Sequence, residues 1–167
     1  MPSKPILIYK LTPSQIALVD RLAGAENGLV LDDMEYREVV IWQELDKLGM
    51  VRTNPKRRKL AIVLTDLGKQ IRANGYFSKK PVVRLTEPQI VALRFLAGGP
   101  RGYNEMPSHM VDVCRRLGLR GWAEWQGDIH GPRWMRITPA GWQVLKLVDN
   151  GDTSPDGPGV RLSPRRA

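Results

Sequence analysis

The sequence predicts an α+β fold, mainly α-helical with small β-hairpins, arranged as two similar units in tandem. Three observations carry this. Leu11-Thr12-Pro13-Ser14-Gln15-Ile16 returns as Leu85-Thr86-Glu87-Pro88-Gln89-Ile90. Leu64-Thr65-Asp66-Leu67-Gly68-Lys69-Gln70-Ile71 returns as Ile137-Thr138-Pro139-Ala140-Gly141-Trp142-Gln143-Val144. Between each pair stands a helix-ending Leu-Gly, Leu48-Gly49 and then Leu117-Gly118. Displacements of 74, 73 and 69 residues keep the order while the connections vary, which is the mark of a duplicated unit. The expected division is a first unit over 1–76, a second over 77–149, and a disordered tail over 150–167 rich in Gly, Asp, Ser, Pro and Arg.

Each unit is predicted element by element. Thr12 and Thr86 suit helix N-caps, with Gln15 and Gln89 three residues on, so that two orphan amides are satisfied reciprocally. Pro13 takes the first helical position, where its missing N–H costs nothing. Ile16, Val19 and Leu22, and then Ile90, Leu93 and Leu96, recur at helical spacing. A second helix is expected over roughly 34–48, with Met34, Ile41, Leu45 and Leu48 inward, and its counterpart over roughly 108–117, with Met110, Val113, Cys114 and Leu117 on one stripe. Gly49 and Gly118 fall where a left-handed residue ends a helix cheaply. Hairpins follow, 50–53 with 60–64 and 122–125 with 134–137, and Thr65 and Thr138 cap closing helices. Asp32-Asp33 is expected to favour the N-terminus of the second helix.

Helix, short connection, helix, hairpin, helix is the order of a winged helix. Each unit resembles a winged helix-turn-helix domain of the MarR-like kind, through Leu-Thr-x-x-Gln opening the first helix, Leu45-x-x-Leu48-Gly49-Met50-Val51 ending the recognition helix, and a basic wing running into Leu64-Thr65-x-x-Gly68. The resemblance covers about 3–148. One departure stands out: 23–36 is short for the strand and helix that such domains carry before the recognition helix, and Gly98-Gly99-Pro100 and Pro107 make the second equivalent short or irregular. The resemblance implies a transcription regulator of bacterial or phage origin that contacts double-stranded DNA, its fused units standing in for the two halves of a dimer. Tandem winged helices also serve as protein-interaction adaptors, and replication initiators resemble them; both are alternative readings.

Composition bounds the function. The chain has 167 residues, 42% of them hydrophobic, a mean hydropathy of −0.32 and a net charge of +9. No apolar run approaches the ~20 residues of a membrane helix, and the N-terminus lacks a signal-peptide layout, so a cytoplasmic location without membrane attachment is expected. The lone Cys114 excludes a disulfide framework. With two His and no metal-ligand spacing, phosphate loop or nucleophile elbow, neither an enzyme nor a metal or other cofactor is expected.

The charge is uneven. Between Arg52 and Arg84 ten basic residues face one acid, whereas between Asp20 and Asp46 eight acids face two arginines. Arg52 and the Lys56-Arg57-Arg58-Lys59 tip of the first wing are candidates to displace phosphate counterions. On the second recognition helix Ser108, His109, Arg115 and Arg116 face outward, with Arg120 just beyond, and Arg is well suited to guanine edges. His130 and Arg133 are the second wing's candidates. The first recognition helix instead presents Tyr36, Val39, Trp42 and Gln43, a face expected to pack on the second unit, a second copy of the chain or another protein. Trp122, Trp125, Trp134 and Trp142 are expected mainly to thicken the second core or an interface; the alternative is that such aromatics, interleaved with Arg133 and Arg136, stack on unpaired bases.

Overall fold

The computed structural model describes residues 5–56 and 59–150, with Lys56 described by its backbone alone. After β1 (Ile6–Ile8), the first unit runs α1 (Pro13–Ala23), β2 (Leu29–Val30), α2 (Tyr36–Lys47), β3 (Val51–Lys56), β4 (Lys59–Leu64) and α3 (Asp66–Ala73). The second runs β5 (Val83–Leu85), α4 (Glu87–Ala97), β6 (Arg101–Gly102), α5 (Ser108–Arg120), β7 (Ala123–Gly127), β8 (Arg133–Ile137) and α6 (Pro139–Asn150). Among the described residues this is an α+β fold of six α-helices and three small antiparallel sheets, ordered β2-β4-β3, β6-β8-β7 and β1-β5. Helices leading into hairpins in this order are compatible with winged-helix-like units. The expected tail, beyond Asn150, lies outside the described residues.

The caps form as their chemistry requires. The Thr12 amide donates to Gln15 Oε1 at 3.0 Å while the Gln15 amide donates to Thr12 Oγ1 at 3.3 Å, and the Thr86 amide donates to Gln89 Oε1 at 3.0 Å. The short stretch before α2 and α5 holds an edge strand, β2 or β6, and a single 3-10 turn, Leu31–Asp33 or Tyr103–Glu105. There is no room for a full helix. Asp32 and Asp33 therefore lie in that turn; α2 is capped by Glu35, whose amide donates to Glu38 Oε2 at 3.0 Å.

One expectation about the repeat is corrected. Gly118 does not end the second helix of the second unit; α5 continues to Arg120, and the left-handed residue is Gly121, φ +84°, as Gly49, φ +75°, is in the first unit. The hydrogen bonds fix this alignment. Met50 and Trp122 donate their amides to Leu45 and Leu117, and accept on their carbonyls from the Thr65 and Thr138 amides, both at 3.0 Å. The Thr65 and Thr138 hydroxyls donate to the carbonyls of Gly49 and Gly121 at 2.7 Å, and accept from the amides of Gly68 and Gly141 at 3.2 Å. Gly121 follows Gly49 by 72 residues, in line with the 74 and 73 of the other blocks. The Thr-x-x-Gly motif is thus the fastening of α3 to α2 and of α6 to α5: threonine serves both helix ends, and glycine admits the Met50 or Trp122 carbonyl where a Cβ would collide.

Two cores result. Leu18, Val19, Leu22, Ile41, Leu45, Met50, Ile62 and Ile71 fill the first; Leu93, Leu96, Met110, Cys114, Leu117, Trp122, Met135 and Val144 fill the second. The lead-in strands cross the expected division at 76/77. β1 pairs antiparallel with β5, Ile6 with Leu85 and Ile8 with Val83, and Ile8 is buried in the second core although it lies within the expected first unit. A second junction sets the start of α1 against the end of α5: Gly121 lies against the Pro13 ring, and the Ser14 hydroxyl donates to the Leu119 carbonyl.

Candidate nucleic-acid interface

In the first unit the hairpin pairs Arg52 with Val63 and, at its tip, Lys56 with Lys59. Arg52 and Lys59 are exposed. Arg57, Arg58 and the Lys56 side chain lie outside the described residues. Arg52 and Lys69 border a cavity of about 560 Å³ that also takes in Arg72 and Glu26. Arg72 is already engaged, its Nε donating to Asp20 Oδ1 at 2.9 Å.

In the second unit Ser108, His109, Arg115 and Arg116 are exposed on α5. Arg115 meets Asp112 at 3.3 Å, one turn earlier on the same helix. Such an exposed pair contributes at most about 1 kcal/mol, so it leaves Arg115 able to exchange its partner. On the wing, His130 is exposed and its amide donates to Asp128 Oδ1 at 3.2 Å. Arg133 is exposed and its guanidinium lies over the Trp125 ring, 5.4 Å from the centroid.

These cations do not stand alone. Arg37, from the start of α2 in the other unit, donates to the Gly118 carbonyl at 2.8 Å and to Ser14 Oγ at 3.3 Å. It thereby shares with Arg115 and Arg133 one cleft of about 440 Å³, floored by Gly118, Gly121 and Trp125. The acid in that lining, Glu124, is paired with Arg136 at 2.6 Å. Arginines from α2, α5 and β8 therefore line one opening. Arg37 was missed in sequence because it reads as one of two bases in an acidic stretch; only the junction of the units brings it here.

Arg120 is corrected. In the structural alignment it occupies the position of Leu48, a half-buried residue at the end of α2. It points accordingly. Its guanidinium covers the buried Trp122 ring at 5.4 Å, its Nη1 is buried with no hydrogen-bond partner within the protein, and burial pushes its pKa below the arginine norm against the opposing charge of Glu44. One edge of its guanidinium is therefore turned inward, and the residue as a whole is half-buried.

The expected interaction face also changes. Tyr36 is 82% exposed and Gln43 is exposed, whereas Val39 is half-buried and Trp42 turns towards the first core, its Nε1 buried without a protein partner. The second unit does not cover this face; it is met by Arg37 instead. Of the tryptophans expected in the core, Trp122 is buried and Trp125 half-buried, but Trp134 and Trp142 are 38% and 45% exposed. Trp134 lies on the outer face of the hairpin and donates its Nε1–H to Gln126 Oε1 at 3.3 Å.

Among the described residues no cluster of three or more His, Cys, Asp or Glu is placed to hold a metal ion, and no helix is long and apolar enough to cross a membrane. The chain matches no protein-family model, no curated protein and no solved structure.

Proposed function

We propose that the chain is a DNA-binding regulator whose two fused winged helices, MarR-like in the order and motifs of their elements, engage duplex DNA chiefly through the second unit. The observation that carries the reading is the convergence of Arg37, Arg115 and Arg133 on one cleft beside the exposed Ser108–Arg116 side of α5. Guanidinium groups spaced around an open cleft neutralise successive phosphates and release their counterions. Arg115 or Arg116 then lies within a helix offered to a groove, where the bidentate fork suits guanine. Arg52 and the 56–59 wing tip add backbone contacts from the first unit.

The test is a salt series of binding to random duplex and to bacterial or phage genomic fragments, with wild type, an Arg115→Ala/Arg133→Ala variant and a Lys56/Arg57/Arg58/Lys59→Ala variant. Each lost phosphate contact should flatten the logarithmic salt slope by about 0.9. Variants that bind with the wild-type affinity and slope would remove this assignment. The adaptor alternative retains one supporting feature, the 82% exposure of Tyr36 on a face that the second unit leaves open. Tyr36→Ala should leave DNA binding untouched under either reading, and should abolish a protein contact only under the second.

A further inference from the structure

The geometry points to a binding place for a single unpaired DNA nucleotide in the groove between α5 and the second wing. The groove, about 560 Å³, is lined by Tyr103, Asn104, Arg115, Trp125, Arg133 and the small wing residues around Gly131. Tyr103 projects from the 3-10 turn with 55% of its surface exposed, its ring 6.4 Å from that of Trp125 and inclined to it by 35°. The rings are tilted rather than stacked, and more than half of the tyrosine surface stays open to solvent. Arg133 covers the Trp125 ring, and Arg115 lines the same groove.

This is the combination that unpaired nucleotides require: an aromatic platform for the base, which accepts any base because every base has a π-face, and cations beside it for the phosphate. Asn104 adds a side chain that both donates and accepts, suited to a base edge freed from pairing. The fold itself does not call for these residues. The structurally equivalent positions in the first unit hold Leu31, Gln43, Thr53 and Leu60 in place of Tyr103, Arg115, Trp125 and Arg133. The same scaffold is built there with neither an aromatic pair nor a cation. Tyr103 is also too exposed to be a core residue.

The inference deepens the proposed function and rests on its reading of the second unit as a nucleic-acid surface. It is tested with three fluorescently labelled probes of equal length: perfect duplex, the same duplex with one bulged nucleotide, and the single strand. Wild type should bind the bulged duplex about ten-fold more tightly than the perfect one, the scale of one base stacked on an aromatic side chain. Tyr103→Leu, a surface change checked by thermal melting, should erase that advantage without altering affinity for perfect duplex, and Tyr103→Phe should keep it. Equal affinity of wild type for bulged and perfect duplex, or an advantage that survives Tyr103→Leu, would overturn the inference. Tyr103-dependent binding of bulged and single-stranded probes with none to perfect duplex would uphold the nucleotide site while sinking the duplex reading.

Discussion

Asp20 and Arg94 occupy the same position on the opening helices of the two units, and each reaches the end of its closing helix, but with the charges reversed. Asp20 accepts from Arg72 at 2.9 Å and from the Tyr76 hydroxyl at 2.6 Å; Arg94 donates to Asp149 at 2.8 Å. The Thr-x-x-Gly fastening, by contrast, is the same in both units down to its four hydrogen bonds. The difference teaches which constraints the fold enforces. An exposed pair is held by charge complementarity, which either arrangement satisfies. A threonine that serves two helix ends beside a glycine pressed on a carbonyl has no substitute of equal size.

That contrast ranks the expected effects. The largest belongs to the glycines. A Cβ on Gly68 would collide with the Met50 carbonyl, and one on Gly141 with the Trp122 carbonyl, in both cases backbone that cannot swing aside. Gly68→Ala and Gly141→Ala should each cost about 3 kcal/mol in urea denaturation, the upper range for overpacking. Near-wild-type stability of either variant would break the equivalence of the two units.

The two cap glutamines sharpen the comparison at the next level. Gln15 is wholly buried, bonds the Thr12 amide and also donates Nε2–H to Glu44 on α2 at 3.0 Å. For Gln89 the bond to the Thr86 amide is the counterpart. Gln15→Ala should therefore cost about 2 kcal/mol, against about 1 kcal/mol for Gln89→Ala, since each buried bond lost leaves its partner unsatisfied. Equal losses in thermal or urea unfolding would show that the Glu44 bond contributes nothing.

These contacts explain how much could be read in advance. The α+β class, the tandem order and the threonine caps of α1, α3, α4 and α6 depend on neighbours within a few residues, so Thr-x-x-Gln and Thr-x-x-Gly carried them openly. The Glu35 cap of α2 did not show, because Asp32-Asp33 stood in its place. The end of α5 did not show, because Leu117-Gly118 imitates Leu48-Gly49 while the left-handed residue is Gly121, and only the bonds from Thr138 and Trp122 distinguish them. The candidate site was half legible. Arg115 and Arg133 stand out by type and place, but Arg37 and Tyr103 join them only through the packing of one unit on the other and through a turn too short to leave a periodic signal.

Arg120 follows from the same misalignment and predicts a smaller change of opposite sign. It stands where the first unit has Leu48, with Nη1 buried and unpaired, so a long apolar side chain should serve better. Arg120→Met is expected to be neutral or to stabilise by up to about 1 kcal/mol, because it removes an uncompensated buried donor while keeping the stem that covers Trp122. Its DNA affinity should match that of wild type. A marked loss of duplex binding, with stability unchanged, would return Arg120 to the contact surface.

The smallest effect is in the reversed pairs. The Tyr76 hydroxyl, and after it the Arg72 guanidinium, hold the Asp20 carboxyl below its ordinary pKa of 3.8. A carboxylate with a depressed folded-state pKa stabilises the fold above its unfolded value, and the contribution is lost as pH falls through the folded one. Asp20 and Arg72 are both substantially exposed, so solvent screens the pair and its contribution at neutral pH should be small. Asp20→Asn should accordingly be slightly less stable than wild type near neutrality, with the gap closing as pH drops below about 3.8. High salt should narrow the neutral-pH gap as well, since the Arg72 share is screened while the Tyr76 hydrogen bond is not. A gap that persists unchanged in acid would mean that Asp20 acts through shape rather than charge. The reversal of sign at Arg94 would then no longer be evidence that the two units solve the same electrostatic problem in opposite ways.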